Sequence, residues 1–244
     1  MIFEASKFTF KPPPLVSRAR RVLIKPNAGY PMPYPASTSR ETMNLIIESI
    51  KQASDADIII LEGTANGESI YPIYQALGYD FPRVLMLDVR DCIWVEVENP
   101  LPHPFAVATF WVPNVVLSSD YLISVAPFKV LGGSGFFSVP NLLSLLPISK
   151  YKGDAPAGWG TLYEFGMDKV IADLYFTLPF DLGVVDARQK FVGADNLAQG
   201  KVEEYGKIFA GEPYEVDQEA TQASGEVELG YLGLIEAGKA ELEA

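Results

Sequence analysis

DYLISVAPFKVLGGSGFFSVPNLLSLLP, residues 120–147, is the stretch whose reading decides the fold class. Tyr121–Val125 is a short, almost continuous apolar run, the pattern of a strand buried on both faces and therefore of a parallel sheet covered on each side. A lone Lys129 follows. After it comes the glycine-rich bend Gly132-Gly133-Ser134-Gly135, and a short helix is expected from about Ser138. That layout sets one cation and a row of free backbone N–H groups at a helix N-terminus, an arrangement that suits anions.

Working outward, the same rhythm recurs. Val22-Leu23-Ile24 reads as a buried strand stopped by Lys25-Pro26-Asn27. A proline-rich loop leads to Thr38 or Ser39, either of which can cap a helix running to about Ala53. Ala56–Leu61 is a second buried strand, followed by a helix over about Ser69–Leu77 closed by Gly78, and Val84–Leu87 is a third. Phe8-Thr9-Phe10 reads as an edge strand. Ile93–Val97 alternates, and with the segments up to Leu117 it suggests an antiparallel excursion, a subsidiary lobe over about residues 90–118. Ser149–Gly160 is a polar, glycine-rich loop and the candidate mobile segment. Further on, Leu162–Tyr175 is read as one amphipathic helix, Leu182–Val185 and Lys207–Ala210 as strands, and Val216–Ser224 and Tyr231–Glu243 as helices. The expected fold is α/β, one domain over 1–244, with a largely parallel sheet and helices on both faces.

Composition narrows the chemistry. The 244 residues include one cysteine and one histidine, so neither an internal disulfide nor a cysteine–histidine metal cage is available. Cys92, in the strand-like DCIWVEV, reads as a small core residue, and His103, in PLPHP, as a surface loop residue. The net charge of −12 is uneven: residues 202–244 carry eleven acids against two lysines. Such a chain lacks the broad basic face that nucleic-acid binding needs. No stretch has the run of roughly 20 apolar residues that spans a membrane, and the first residues do not resemble a signal peptide, so a cytoplasmic location is expected.

In sheets of this kind ligands collect beyond the carboxyl ends of the strands. Lys25 and Asn27, Glu62, Asp88 and Asp186 all stand at expected strand ends. Lys25 can pair with a phosphate or carboxylate and Asn27 can hold it by hydrogen bonds; the alternative is a turn shaped by Pro26. Glu62 and Asp88 can bind Mg²⁺ or Ca²⁺ through oxygen, with Asp186 as a further ligand, or Glu62 can act as a base. The alternative is helix capping, or pairing of an acid with Lys25. Gly132, Gly133, Ser134 and Gly135, with Lys129, form the candidate anion loop, which Asn141 would help fix through its amide. Asp217 is expected to cap a helix. Trp159 can cover a ligand or simply pack its loop.

These landmarks resemble the DUF362 family over roughly Val22–Ala237. The matching pieces are Val22-Leu23-Ile24-Lys25-Pro26-Asn27, the strand ending in Glu62-Gly63, Ser119–Ile123 with Pro127-Phe128-Lys129, Asn141-Leu142-Leu143, Val184-Val185-Asp186, and Ala210–Pro213 leading to Val216-Asp217. The resemblance implies the same α/β fold but no settled chemistry. Leu131 stands where the family pattern usually has a histidine, Pro140 where it has a lysine, and Phe136 where it has a threonine. The ferredoxin cysteines of some members are absent, so no iron–sulfur cluster is expected.

The resulting expectation is a small-anion pocket for carboxylate or phosphate, with a divalent cation as candidate cofactor. Lys129 and loop N–H groups would stabilise a developing oxyanion, with Glu62 or Asp186 as base or metal ligand. The alternative is a non-catalytic relative, without the family histidine, that binds a ligand or a protein partner.

Overall fold

The computed structural model describes residues 1–155, 158–178, 180–193, 200–225 and 227–243. Ten strands and eight α-helices follow in chain order: β1 (Ile2–Glu4), β2 (Arg21–Pro26), α1 (Arg40–Ala53), β3 (Asp57–Glu62), α2 (Tyr71–Ala76), β4 (Val84–Asp88), β5 (Trp94–Glu98), β6 (Thr109–Pro113), α3 (Asn114–Leu117), β7 (Tyr121–Leu131), β8 (Ser134–Gly135), α4 (Ile148–Tyr151), α5 (Gly160–Tyr163), α6 (Met167–Thr177), β9 (Leu182–Gly193), β10 (Lys201–Gly211), α7 (Pro213–Ser224) and α8 (Gly230–Glu243).

Eight strands form one mixed sheet in the order β1-β10-β9-β7-β2-β3-β4, with β8 paired to β7. Five are parallel neighbours, β9, β7, β2, β3 and β4, while β10 and β1 add on antiparallel. The expected antiparallel excursion is a separate ribbon of β5 and β6. The α/β class with a largely parallel sheet is thus observed, and the antiparallel β1 and β10 complete it.

Strand alternation divides the core. Val22, Ile24, Ile58, Ile60, Ile123 and Val125 point to one face, where Met43, Ile46, Ile47 and Ile50 of α1 and Tyr74 of α2 cover them. Leu23, Leu61 and Leu122 point to the other, against the β5–β6 ribbon and α6. Beyond them Phe128, Val130, Val185 and Phe209 pack with α6, α7 and α8. Ser39 caps α1, its hydroxyl accepting from Thr42 N at 3.0 Å.

Several sequence expectations are corrected. Phe8–Phe10 is not a strand; both rings are buried beside the sheet, and the edge strand is β1. The helix expected over Leu162–Tyr175 breaks at Gly166, whose φ of +86° ends α5 and starts α6. β9 and β10 run far beyond their apolar halves, because Arg188, Gln189, Lys190, Glu203 and Glu204 lie on an extension, with β7 pairing β9 on its other side, that carries no buried-strand signal. Part of the Ser149–Gly160 stretch folds as α4, and residues 156–157 of it lie outside the described residues.

Candidate functional site

β2 is the strand from which the sheet grows in two directions. β3 and β4 follow on one side; β7 and β9 return on the other. The carboxyl ends of β2 and β7 therefore flank the topological switch point, where the crevice of an open α/β sheet lies.

Lys25 ends β2 with its side chain 0 % exposed. Its Nζ donates to Pro26 O at 2.6 Å, Glu62 Oε2 at 2.9 Å and Asn141 Oδ1 at 3.1 Å. Three donors thus meet three acceptors. Burial pulls the Lys25 pKa below the ordinary value, and the Glu62 charge opposes that pull. Glu62 is equally enclosed: Oε1 accepts from Gly63 N at 2.9 Å and the Ser144 hydroxyl at 2.6 Å, and Oε2 from Ala28 N at 2.8 Å.

Asn141 sits in a 3₁₀ turn over Pro140–Leu145 and links the strands. Its Nδ2 donates to Lys25 O and Ser124 Oγ, each at 3.1 Å, and its Oδ1 accepts from both Lys25 and Asn27 Nδ2. It fixes β2 to β7, and not the glycine bend as expected. Asn27 Oδ1 then accepts from Lys129 Nζ at 2.8 Å. A continuous chain of contacts, Glu62–Lys25–Asn141–Asn27–Lys129, wraps the end of β2 and joins residues that alternation sends to opposite faces of the sheet.

Lys129 differs from Lys25. It is 4 % exposed, and its second contact is Ala36 O at 3.1 Å. Among the described residues no carboxylate lies within ion-pair distance of it. Burial pulls its pKa down to about 8; Glu62 raises it and the Lys25 charge lowers it further. The Phe136 ring, 38 % exposed, lies 5.9 Å from Nζ. Ala36 reaches the amine because the loop over residues 28–37 is closed at its neck. Asn27 N donates to Thr38 Oγ1 at 2.8 Å, Thr38 N to Asn27 O at 2.8 Å, and the Thr38 hydroxyl to Val125 O at 2.7 Å. Beyond the ends of β2 and β3, Gly29, Tyr30, Thr64, Asn66, Glu68 and Ser69 help line a cleft of about 520 Å³.

The glycine bend does not form the expected anion cradle. Gly132 and Gly133, with φ of +55° and +77°, make the two-residue turn of the β7–β8 hairpin, exposed at its tip. Gly132 N donates to Gly193 O at 3.1 Å, and the short helix expected from about Ser138 is a 3₁₀ helix over Pro140–Leu145 that does not start at the bend. Ser134 is exposed, and Gly135 lies under the Phe137 ring.

The divalent-cation reading of Glu62, Asp88 and Asp186 is also corrected. Among the described residues no three histidine, cysteine or acidic groups gather as a metal site. Each of the three acids has its lone pairs engaged elsewhere. Asp88 accepts from Ile70 N at 3.0 Å and Arg90 N at 2.9 Å, so it caps the turns after β4 and before α2. Asp186, 0 % exposed, accepts from Thr42 at 2.6 Å, Tyr34 at 3.0 Å and Arg188 Nη2 at 2.8 Å, tying β9 to the start of α1. Neither points at Lys129.

Two further acids serve the frame. Asp217 is inside α7, whose cap is Glu212, so the expected capping role is wrong. It accepts from Ser138 N at 2.7 Å, the Ser138 hydroxyl at 2.6 Å, Val139 N at 2.9 Å and the Tyr231 hydroxyl at 2.8 Å. Burial raises its pKa to about 6 against these donors. Asp173, fully buried in α6, gathers Phe105 N, Ala106 N and Val107 N. Sequence reasoning missed it, although an acid inside the apolar run Val170–Leu174 is itself a signal. Trp159 packs its loop, donating to Leu146 O at 2.9 Å. Cys92 closes a 3₁₀ turn, half buried, and His103 is exposed.

A family model described as "Domain of unknown function (DUF362)" matches residues 22–222. No curated protein matches the chain. Among solved structures it is similar to the lactate racemase apoprotein from Thermoanaerobacterium thermosaccharolyticum, at 14 % identity and a TM-score of 0.56. The likeness covers 91 % of this chain and 54 % of that one, so this chain spans about half of the length of that protein. At such identity the shared property is the fold. No helix among the described residues is long and apolar enough to cross a membrane.

Proposed function

The chain belongs to the DUF362 family, and on that premise we propose that the crevice between β2 and β7 is a small-anion site, for carboxylate or phosphate, centred on Lys129. One observation carries the reading. Lys129 is a nearly buried cation whose two contacts, Asn27 Oδ1 and Ala36 O, are neutral. An ammonium has three N–H donors, and a buried charge without a counter-ion is unfavourable. An arriving anion supplies both the third acceptor and the missing charge. Small carboxylates are the first class to test, because the fold neighbour is named for acting on lactate.

The second reading, a binding relative without catalysis, is favoured by one feature. The oxygens of Glu62 and Asp186 are engaged by Lys25, Arg188, hydroxyls and backbone N–H groups. Among the described residues no free carboxylate base then faces Lys129, so the site is proposed as a receptor first.

The test is a thermal-unfolding series at low ionic strength with inorganic phosphate, acetate and lactate. At roughly 100 times its Kd an anion adds about 2.7 kcal/mol, a rise of roughly 5–10 °C for a chain of this size. Lys129→Met should abolish the response. An equal shift in that variant, or none in the wild type, rejects the site.

A further inference from the structure

The two buried lysines at the switch point are wired differently. Lys25 faces three acceptors, one of them a carboxylate, so all three N–H groups of its ammonium are used. Its lone pair is not available. Lys129 faces two acceptors, and both can only accept: the Asn27 side-chain oxygen at 2.8 Å and the Ala36 carbonyl at 3.1 Å. A neutral amine has two N–H groups and one lone pair. The surroundings of Lys129 therefore satisfy the neutral amine completely, with the lone pair left in the direction that no acceptor among the described residues fills.

From this contrast we propose that Lys129 is a nucleophilic amine that forms a reversible imine with a small 2-oxo acid. The proposal rests on the anion-site reading above and names the ligand class for that site. A 2-oxo acid sets a carbonyl carbon beside a carboxylate, so the group that draws the ligand in also brings the electrophile to the amine. Burial in apolar surroundings is the usual way a lysine is made nucleophilic. The pKa near 8 leaves far more free amine at neutral pH than a surface lysine has. The groups over the amine include Phe136, which is more than a third exposed and stands just beyond the hairpin turn, so part of the cover is a side chain facing water.

The step balances without a co-reactant. The Nζ lone pair adds to the carbonyl carbon, forming a C–N bond, and the carbonyl π pair moves to oxygen, which takes up a proton. The amine nitrogen gives a proton to water. The hydroxyl, protonated once more, then leaves as water while the nitrogen lone pair closes the C=N bond, and the iminium so formed returns that proton to water. Amine and ketone give imine and one water, with no change in oxidation state.

The experiment is reductive trapping. The full chain is incubated with pyruvate and sodium borohydride at pH 8, digested, and mapped by mass spectrometry. The expected result is a secondary-amine adduct concentrated on Lys129, reduced by excess inorganic phosphate and absent at position 129 in Lys129→Arg. Adducts spread over surface lysines with none on Lys129 overturn the imine. If phosphate and lactate still raise the melting temperature in that case, the anion site stands without covalent chemistry. Neither adduct nor thermal shift removes both. Because the wild-type peptide map locates the adduct, the outcome does not depend on how the variant folds.

Discussion

Lys25 and Glu62 form an ion pair across adjacent parallel strands, with Nζ 2.9 Å from each carboxylate oxygen and both side chains at most 1 % exposed. Pairs this deep owe their persistence to complete satisfaction. Desolvating two charges costs several kcal/mol, and only good geometry with added hydrogen bonds offsets it. Here Ala28 N, Gly63 N, Ser144, Asn141 and the Pro26 carbonyl supply those bonds. The pair is thus a framework element that holds the ends of β2 and β3 together, whereas Lys129 has no carboxylate within ion-pair distance among the described residues.

Removing one partner of that pair should be severe. Lys25→Met strands the Glu62 charge in the interior, a loss of about 3–5 kcal/mol. In a Glu62→Gln background the same change should cost clearly less. Urea unfolding of the two singles and the double measures the coupling; additive losses would contradict a shared, buried pair.

Lys129 should make stability rise in alkali. Its folded pKa of about 8 lies below the ordinary lysine value of 10.5, so the unfolded chain binds more protons between those pH values. Stability then increases with pH across that window, by about 3 kcal/mol in full. Urea midpoints from pH 7 to 10 should show a rise in the wild type that is missing in Lys129→Met. Anion affinity should move oppositely, falling as the ammonium is lost above pH 8.

Asp217 predicts a slope of the other sign. Its folded pKa of about 6 exceeds the ordinary aspartate value of 3.8, so the native state binds more protons between them. Its contribution is fully present below pH 4 and is lost as pH rises to about 6, roughly 3 kcal/mol in all. Asp217→Asn removes this slope while lowering stability overall, because one amide N–H would face donors such as Val139 N. Equal slopes in both proteins over pH 4–6.5 would refute the assignment.

The glycine bend and the amine can be separated. Gly133 has φ of +77° and open space around its missing Cβ, so Gly133→Ala should lose about 1 kcal/mol through backbone strain alone. The thermal response to phosphate should be unchanged. A response lost in Gly133→Ala, with folding intact, would return the bend to the binding site.

Asn27→Ala removes the acceptor 2.8 Å from Lys129 and the donor to Asn141. Losing a hydrogen bond to a charged group costs about 1.5–3 kcal/mol. If Asn27 orients the amine, phosphate affinity measured by titration calorimetry should drop as well; an unchanged affinity would assign Asn27 to stability only.

The parallel α/β frame was legible in the sequence, because short apolar runs such as Val22–Ile24 and Tyr121–Val125, bounded by turn residues and alternating with helical segments, read as strands covered on both faces. Turn residues after each run also placed Lys25, Asn27 and Glu62 at strand ends, whereas Lys129, read as following its strand, lies inside β7, which runs on to Leu131. Which of these polar groups satisfy one another emerged only from the folded packing. Period-two alternation sends Lys25 and Lys129 to opposite faces, and only the path of Asn27 and Asn141 around the end of β2 joins them. Glu62, Asp88 and Asp186 look alike in one dimension, but their lone pairs are engaged by groups up to 152 residues away in the chain. The bend at Gly132-Gly133 has the composition of an anion loop, yet strand pairing between β7 and β8 made it a hairpin. Satisfaction of buried hydrogen bonds depends on contacts distant along the chain, and local residue pattern does not encode them.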